Sequence, residues 1–316
     1  MKPKDRIKTA LELKEPDDIV PHFEMNFQLC KEEFGVDHPK REEIFKASGV
    51  KKERLISQDV ELYVRVAERF NWSAIPLWRH YADEAVFPTA KLVRKIVGDK
   101  YLIASFNSGG TYGIPNGKDF EKFTFSLYDD PKGLHEQAKK RIKKEILWCK
   151  RMIDAGIELI ILNTDYCYNT GPYISPKMFS EFVTPYLCEV VRKLKEAGAY
   201  VMIHTDGNIM PIIDQLLEAE PHALQSLDPM AGVDIAEVKR LYGDRVCLMG
   251  NVNCSLLQEG TKDEIIKNSR YAIQNAGHGG GYIFSSSNVI FKGMPLKNYY
   301  YMLEALEKYG RYPIIA

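Results

Sequence analysis

The sequence lacks long apolar runs, closely spaced cysteine pairs and an excess of charge of one sign. Its 316 residues carry 43 basic and 43 acidic side chains, so no global charge attracts nucleic acid or an anionic membrane. No apolar stretch reaches the ~18 residues of a membrane-spanning helix, and the charged N-terminus lacks the apolar core of a signal peptide. The six cysteines form no C-x-x-C pair, which is typical of reduced thiols. We therefore expect a cytoplasmic protein that binds neither nucleic acid nor membrane.

The chain also lacks a linker rich in proline or serine, and it has no low-complexity stretch. With 45% hydrophobic residues, including 18 Tyr and 14 Phe, it has ample apolar surface for a core, which excludes disorder. We expect one domain that spans residues 1–316.

Short apolar runs alternate with longer amphipathic stretches, and this pattern predicts βαβ units and a parallel sheet. Eight runs are candidate strands: Ile19–Met25, Ser73–Trp78, Tyr101–Phe106, Glu158–Asn163, Tyr200–Thr205, Ala223–Asp228, Val246–Asn251 and Tyr282–Ser287. The first two are weaker because Pro21 and Pro76 each remove a ladder donor. Eight such units predict an α/β fold of the (β/α)8 TIM-barrel class.

Amphipathic stretches between the strands predict the helices Lys132–Ala155, Ser175–Gly198, Asp234–Gly243, Thr261–Gly277 and Met294–Tyr309. Two further helices, Lys4–Leu13 and Asp59–Phe70, lie outside the repeat, and we expect the N-terminal helices to cap the barrel. The alternative is a doubly wound open sheet. A dinucleotide-binding version would need G-x-G-x-x-G after an early strand, but the glycine cluster at residues 277–281 precedes a strand.

Polar residues stand at the carboxyl ends of the predicted strands, where a barrel of this class has its active site. Residues two apart on one strand point to the same side. Such pairs are Asp165 with Cys167, His204 with Asp206, and Asn251 with Asn253. Each residue alone could cap a helix or tie down a loop, but the ring as a whole predicts a ligand site.

Imidazole, carboxylate and thiolate are ligands that zinc accepts, and a catalytic zinc keeps one position open. His204, Asp206 and Cys167, with Asp165 beside them, are therefore candidate metal ligands. In the alternative interpretation, His204 and Asp206 bind substrate or each other through hydrogen bonds.

The glycine-rich segment 107–117 follows a strand, but it lacks the Lys-Ser/Thr of a P-loop, and no helix pattern begins at its end. We expect a mobile loop over the barrel mouth rather than a phosphate cradle. Tyr166 could line a flat pocket there or pack under the loop.

Several motifs together make the chain similar to the uroporphyrinogen decarboxylase superfamily over nearly its full length. They are Arg6-Ile-Lys-Thr-Ala-Leu11, Ile174-Ser-Pro-Lys-Met-Phe179, Thr184-Pro-Tyr186, Ile203-His-Thr-Asp-Gly-Asn208, Leu248-Met-Gly-Asn-Val-Asn253 and Tyr309-Gly-Arg-Tyr312. The resemblance implies the same barrel fold that the strand count predicts and, by analogy with the family, a homodimer.

True decarboxylases of this family carry R-Q-A-G-R after the first strand and a histidine after the last one. Here those places read Glu24-Met-Asn-Phe-Gln28 and Ser285-Ser-Ser-Asn288. Without those cations, the carboxylates of a porphyrinogen lack partners, so decarboxylation is disfavoured.

The other branch of the family resembles cobalamin-dependent methyltransferases. Its thiol-using members bind zinc through H-x-C near strand five and a Cys after strand eight. This chain has His204-Thr-Asp206 and serine instead, a harder ligand set.

The resemblance therefore implies methyl transfer from a small methylated or methoxylated substrate to a corrinoid on a partner protein, with zinc as a candidate metal. His204, Asp206 and Asp165 are the candidate catalytic residues. Candidate substrate-binding residues are Glu24, Asn107, Tyr166, Asn208, Gln225, Asn251, Asn253 and Ser285. Uroporphyrinogen decarboxylation and a non-catalytic binding barrel remain as alternatives.

Overall fold

A computed structural model describes residues 1–80 and 83–314, which adopt an α/β architecture built on one parallel sheet. The strands are β1 (Ala74–Pro76), β2 (Leu102–Asn107), β3 (Leu159–Asn163), β4 (Cys167–Tyr168), β5 (Gly171–Pro172), β6 (Tyr200–His204), β7 (Ala223–Gln225), β8 (Cys247–Val252) and β9 (Tyr282–Ser286). Seven of them form the sheet in the order β1-β2-β3-β6-β7-β8-β9, and β4 pairs with β5 as a small antiparallel hairpin. The prediction of an α/β fold with a parallel sheet is confirmed.

Helices precede, connect and follow the strands of the sheet. They are α1 (Pro3–Leu11), α2 (Cys30–Phe34), α3 (Arg41–Lys46), α4 (Gly49–Arg69), α5 (Val86–Val97), α6 (Gly117–Asp129), α7 (Pro131–Asp154), α8 (Pro176–Phe182), α9 (Thr184–Glu196), α10 (Ile213–Glu218), α11 (Ile235–Tyr242), α12 (Cys254–Glu259), α13 (Lys262–Gly277) and α14 (Leu296–Tyr309). None of the helices in residues 1–80 and 83–314 combines the length and the apolarity needed to span a bilayer.

The strands of the sheet are buried on both faces, which explains their nearly continuous apolar sequence. All six residues of β2 and of β8 are buried, and in β3 only the terminal Asn163 is partly exposed. Every neighbouring pair in the sheet is parallel, so all carboxyl ends meet at one edge. The polar residues that follow the strands therefore collect at this edge.

The first predicted strand, Ile19–Met25, does not form a regular strand, and this part of the prediction is wrong. Residues 19–27 make isolated bridges, of which His22 with Phe284 is one. The Phe284 N–H donates to Pro21 O at 2.9 Å, and the Ser73 N–H donates to His22 O at 2.7 Å. The segment thus lies between β9 and the residue before β1. Pro21 has no N–H to give, so a continuous ladder cannot develop there.

Helix α1 lies at the amino ends of the strands. Lys4 Nζ forms an ion pair with Glu158 at 2.6 Å, immediately before β3. The Tyr200 hydroxyl, at the start of β6, donates to Glu12 at 3.0 Å, just after the helix. The capping role of the N-terminal helices stays a prediction.

Two helix predictions need correction. The predicted helix Ser175–Gly198 is two helices, α8 and α9, interrupted at Val183. Pro185 lacks the N–H that would continue α8, and it occupies the first turn of α9, where that loss does no harm. The glycine-rich segment 107–117 leads directly into α6, which begins at Gly117, although no helix was expected at that point.

A buried carboxylate ties α4 to the end of β1. Asp59 accepts hydrogen bonds from His38 Nδ1 and His80 Nε2, both at 2.8 Å, and Arg79 Nε lies 3.2 Å away. Burial alone raises the pKa of a carboxyl group, but the bonds from His38 and His80 outweigh it and hold the pKa of Asp59 well below its ordinary range. The carboxylate stays charged and links three separate segments.

We expect Asp59→Asn to lower the free energy of unfolding by about 3–5 kcal/mol, because an amide group would face ring N–H donors in a buried site. The matched substitution Glu61→Gln, at an exposed site on the same helix, should change it by less than ~0.5 kcal/mol. Urea unfolding of the three proteins at neutral pH measures both effects.

The pH dependence of the Asp59 contribution has a definite sign. The folded-state pKa is depressed, so the contribution is complete above the ordinary pKa of about 4 and is lost as the pH falls further. The difference between wild type and Asp59→Asn should therefore be constant near neutrality and shrink below about pH 4. An equal difference at all pH values would contradict this role.

Candidate functional site

Three side chains meet where β3 and β6 end. His204 is the last residue of β6, and its register partner is Asn163, the last residue of β3. Asp165 follows β3 by two residues, and Asp206 follows β6 by two residues. Because the two strands are parallel neighbours, the three predicted catalytic residues Asp165, His204 and Asp206 come together.

The three groups are close to one another but not hydrogen-bonded through their charged atoms. His204 Nε2 lies 4.0 Å from Asp165 Oδ1 and 3.8 Å from Asp206 Oδ1, and one ligand atom from each residue fits within 4.8 Å of the others. These distances exceed a hydrogen bond. They approach the separation of two ligands on one tetrahedral zinc, roughly 3.4 Å for metal–ligand bonds of about 2.1 Å. One imidazole and two carboxylates are therefore suitably placed to share a cation.

The orientation of His204 is set by Gln225. The two residues are register partners on β6 and β7, and His204 Nδ1 contacts Gln225 Oε1 in a short hydrogen bond. A carbonyl oxygen can only accept, so Nδ1 carries the proton in this bond. Gln225 is held in turn, because its Nε2 donates to Ser287 O at 3.3 Å. His204 Nε2 therefore faces the two carboxylates.

Asp206 is the electrostatically unusual member of the group. Its Oδ1 is buried and has no hydrogen-bond partner among the described residues, whereas Asn288 Nδ2 donates to Oδ2. Burial raises the pKa of Asp206, and the nearby Asp165 and Asp228 raise it further, whereas the attraction of His204 and a contact with Ser226 oppose the rise only in part. Such a carboxylate gains stability from a proton or a metal ion at Oδ1.

Asp165 opens the group to solvent. Its side chain is 55% exposed, whereas that of His204 is 6% exposed, so a ligand can reach the group from the side of Asp165. The Asp206 N–H donates to Asp165 Oδ1 at 3.3 Å, which connects the two loops.

Asn288 was not among the predicted site residues. It follows β9 at the carboxyl edge of the sheet, in the segment Ser285-Ser-Ser-Asn288 that the sequence comparison singles out. Its position after the last strand could therefore have marked it as a candidate site residue. Its contact with Asp206 could not be predicted, because the two residues are 82 positions apart in the chain.

The predicted ligand Cys167 does not join the group among the described residues. It lies in the β4–β5 hairpin, where burial raises the pKa of its thiol to about 12. A buried thiol in this state is a poor metal ligand.

Six of the remaining predicted substrate-binding residues have hydrogen-bond partners within the protein, and among the described residues no hydrogen bond joins their side chains to Asp165, His204 or Asp206. Asn107 Nδ2 donates to Glu145, Tyr166 OH contacts Thr111, Asn208 Oδ1 accepts from the Met210 N–H, Asn251 Nδ2 donates to Leu227 O, Asn253 Oδ1 accepts from the Ser255 N–H, and Ser285 Oγ donates to Ser286 O. Of the predicted substrate-binding residues, Gln225 is the one that contacts the group.

Glu24 is fully buried, and no cation of residues 1–80 or 83–314 forms an ion pair with it. Its carboxyl group accepts from the Ser286 N–H at 3.1 Å and from Ser286 Oγ at 2.6 Å. Burial raises the pKa of Glu24 to about 8, and the bonds from Ser286 oppose the rise only in part. The carboxyl group thus retains a proton across much of the neutral range.

A cavity of about 930 Å³ opens beside Asp165. It is lined by the glycine-rich segment, by α6 and α7, and by the residues that follow β3. A Cβ at Gly113 would stand 2.5 Å from Thr164 Cγ2 and 2.9 Å from Asp165 O, so the segment packs directly on the end of β3. A volume of this size suits a small molecule.

Comparison with known proteins identifies similar sequences. Residues 85–309 match the family model described as uroporphyrinogen decarboxylase (URO-D). A protein of that name from Pseudoalteromonas atlantica is 24% identical over 238 residues, which cover 71% of this chain and 64% of that protein. Another from Actinobacillus succinogenes is 26% identical over 231 residues, covering 69% and 62%. The chain thus spans less than two thirds of the length of these relatives.

One solved structure is similar over almost the whole chain. A methyltransferase from Methanosarcina mazei superposes with a TM-score of 0.77, at 18% sequence identity, covering 98% of this chain and 99% of that one. At this identity the likeness shows a shared fold.

The buried Glu24 makes stability depend on pH. Its folded-state pKa of about 8 lies above the ordinary value of 4.5, so the native protein keeps a proton that the unfolded chain has released. We expect the free energy of unfolding to fall by about 2–5 kcal/mol between pH 5 and 8 through this residue. Glu24→Gln, which stays neutral, should remove that decline.

Urea unfolding of wild type and variants across this pH range measures the slope. The control Glu259→Gln, at an exposed site, should leave the slope unchanged. A Glu24→Gln protein with the wild-type slope would contradict the assignment of a proton to Glu24.

Proposed function

The chain belongs to the uroporphyrinogen decarboxylase family, and from this premise we propose that it transfers a methyl group from a small methylated or methoxylated substrate to a corrinoid on a partner protein. The observation that carries the proposal is the group of Asp165, His204 and Asp206 at the carboxyl edge of the sheet. The lack of the R-Q-A-G-R segment and of the histidine after the last strand, which the decarboxylases of the family carry, supports the choice of reaction. The shared fold with a methyltransferase is consistent with it.

The residues of the group fit a zinc ion. Gln225 holds a proton on His204 Nδ1, so in the neutral imidazole the lone pair of Nε2 would be directed at two carboxylates, an arrangement that a cation between the groups would stabilise. A cation would also provide a partner for Asp206 Oδ1, which has no hydrogen-bond partner among the described residues. Asp165, His204 and Asp206 would be the three protein ligands, a number that leaves a fourth position open in a catalytic site. When bound, zinc would supply Lewis-acid chemistry that lowers the basicity of a leaving oxygen.

The chain's own residues have separate tasks in this proposal. Gln225 orients the imidazole, and Asn288 fixes the Asp206 carboxylate by donating to Oδ2. In the alternative without a metal ion, a proton on His204 Nε2 would lie between the two carboxylates, and its transfer to a leaving oxygen would be general-acid catalysis. Asp165 meets the substrate first, because it is exposed to the cavity.

Uroporphyrinogen decarboxylation is the second candidate, because the curated relatives carry that name. Its difficulty is electrostatic. The segment after residue 23 offers the carboxyl group of Glu24, buried against Ser286, where the decarboxylases have arginines. A substrate with many carboxylates would meet an acid there rather than a cation.

Methyl transfer tests the proposal directly. Purified protein mixed with cob(I)alamin and a panel of methoxylated and methylated amines and aromatics should form methylcobalamin, followed by its absorption spectrum. His204→Ala should reduce the rate by about 10²–10⁴-fold, whereas Asp214→Asn, at an exposed site on α10, should not. No methylcobalamin from the whole panel would refute the proposal, and turnover of uroporphyrinogen would establish the alternative.

Metal analysis provides an independent test. After incubation with zinc and removal of the excess, we expect one zinc per chain in the wild type and none in His204→Ala or Asp206→Asn, measured by inductively coupled plasma spectrometry. Cys167→Ala is the matched control and should keep its zinc, because its sulfur lies outside the group. Loss of zinc in Cys167→Ala would show that the ligand set is wrong, and a metal-free wild type would leave proton donation by His204 as the mechanism.

A further inference from the structure

Arg141 of α7 is a cation in the cavity beside Asp165 without an anionic partner. No carboxylate among residues 1–80 and 83–314 forms an ion pair with it, although Asp119 and Asp165 line the same cavity. Its natural helical partner would be Glu145, four residues further along α7. Glu145 instead accepts a hydrogen bond from Asn107 Nδ2 at 2.7 Å. Because Glu145 is bound to Asn107, the guanidinium of Arg141 remains available to a ligand.

The guanidinium of Arg141 is held in place from one side. It lies over the ring of Tyr112, with Cζ 4.8 Å from the ring centroid, and Nη2 donates weakly to Thr111 O at 3.4 Å. Tyr112 is itself fixed, because its hydroxyl donates to Leu134 O at 2.8 Å. The ring covers one face of the guanidinium, and the bond to Thr111 O uses one of its five N–H donors.

The wall of the cavity behind Arg141 is packed closely. A Cβ at Gly110, where φ is +75°, would stand 2.9 Å from the backbone carbon of Arg141. Together with the contact of Gly113 on the end of β3, this packing holds the segment between α7 and the sheet. The packing of the fold therefore defines the shape of the cavity, which extends from Arg141 to Asp165.

Aromatic side chains line the same cavity. Tyr112 and Phe123 both face it, with ring centroids 5.2 Å apart, and Tyr173 lies behind Phe123 at 6.0 Å. A flat apolar ligand body can stack against such a wall. Lys122 is the second cation among the lining residues.

We propose that this cavity binds an aromatic monocarboxylate, with the carboxylate on Arg141, the ring against Tyr112 and Phe123, and the other end of the molecule directed at Asp165. An arginine fork matches a carboxylate in a bidentate manner, which neither Lys122 nor the backbone can do. The inference rests on the proposed function, since it names the class of methoxylated substrate that the same site would take.

Binding measurements without corrinoid test the inference separately from turnover. Isothermal titration calorimetry with 4-methoxybenzoate should show binding, and the neutral 4-methoxybenzamide should bind about 10–100-fold more weakly. Arg141→Gln should weaken 4-methoxybenzoate by a similar factor and leave the amide unchanged. Arg141→Lys should fall between wild type and Arg141→Gln, because it retains the charge and loses the fork.

Lys140→Gln is the matched control, since it removes one positive charge from the neighbouring position of α7, outside the lining of the cavity. It should leave the affinity for 4-methoxybenzoate unchanged. No binding of the carboxylate, equal binding of acid and amide, or equal weakening in Lys140→Gln would overturn the inference. In competition titrations, inorganic phosphate should displace 4-methoxybenzoate less effectively than benzoate does. Stronger displacement by phosphate would also overturn the inference, in favour of a phosphate site.

The two proposals fail in different ways. Tight binding of 4-methoxybenzoate without formation of methylcobalamin would contradict methyl transfer and leave the carboxylate site intact. Methyl transfer from uncharged substrates alone, with no effect of Arg141→Gln, would contradict the carboxylate site and leave methyl transfer intact.

Discussion

Parallel pairing of β6 with β7 puts His204 beside Gln225, and the hydrogen bond between their side chains decides which nitrogen of the imidazole the rest of the site meets. The orientation depends on backbone register, which a one-residue slip would destroy by turning every side chain to the other face. The position of Asp165 and Asp206 follows from the same sheet, because both stand two residues beyond the ends of neighbouring strands. A single geometrical constraint, the common edge of parallel strands, thus assembles groups that are 41 residues apart in the chain.

Asp206 and Glu24 differ in their surroundings from Asp59, the other buried carboxylate described above. Asp59, which contacts the residues after β1, is satisfied by two histidines and an arginine and serves the fold. Within the described residues no arginine or lysine forms an ion pair with Asp206 or Glu24, and burial raises the pKa of both. Buried charge that is fully partnered stabilises one conformation, whereas charge that is left incomplete is available to a proton, a metal ion or a substrate.

The sequence was sufficient for the features that depend on local pattern. Apolar runs predicted all seven strands of the sheet to within a few residues, and the spacing of His204 and Asp206 placed two members of the group. Features that depend on contacts between residues far apart in the chain could not be predicted from the sequence. The residues around Asn107 do not indicate that its side-chain amide will donate a hydrogen bond to Glu145. Nor do the residues around Glu24 indicate that its carboxyl group will accept hydrogen bonds from Ser286. The pattern of residues 19–25 looks like a strand, but Pro21 has no N–H for a continuous ladder, and only the folded context shows that isolated bridges replace it.

The close approaches at Gly110 and Gly113 have a consequence for how this site can change. One side of the cavity is fixed by contacts that leave no room for a β-carbon, so substitution there disturbs the sheet and α7 together. Helix α6 also lines the cavity, and Leu127 is its one buried residue. Substitutions along α6 can therefore change substrate preference with little loss of stability. The glycine-rich wall stays constant meanwhile and holds different substrates in the same position relative to the catalytic residues.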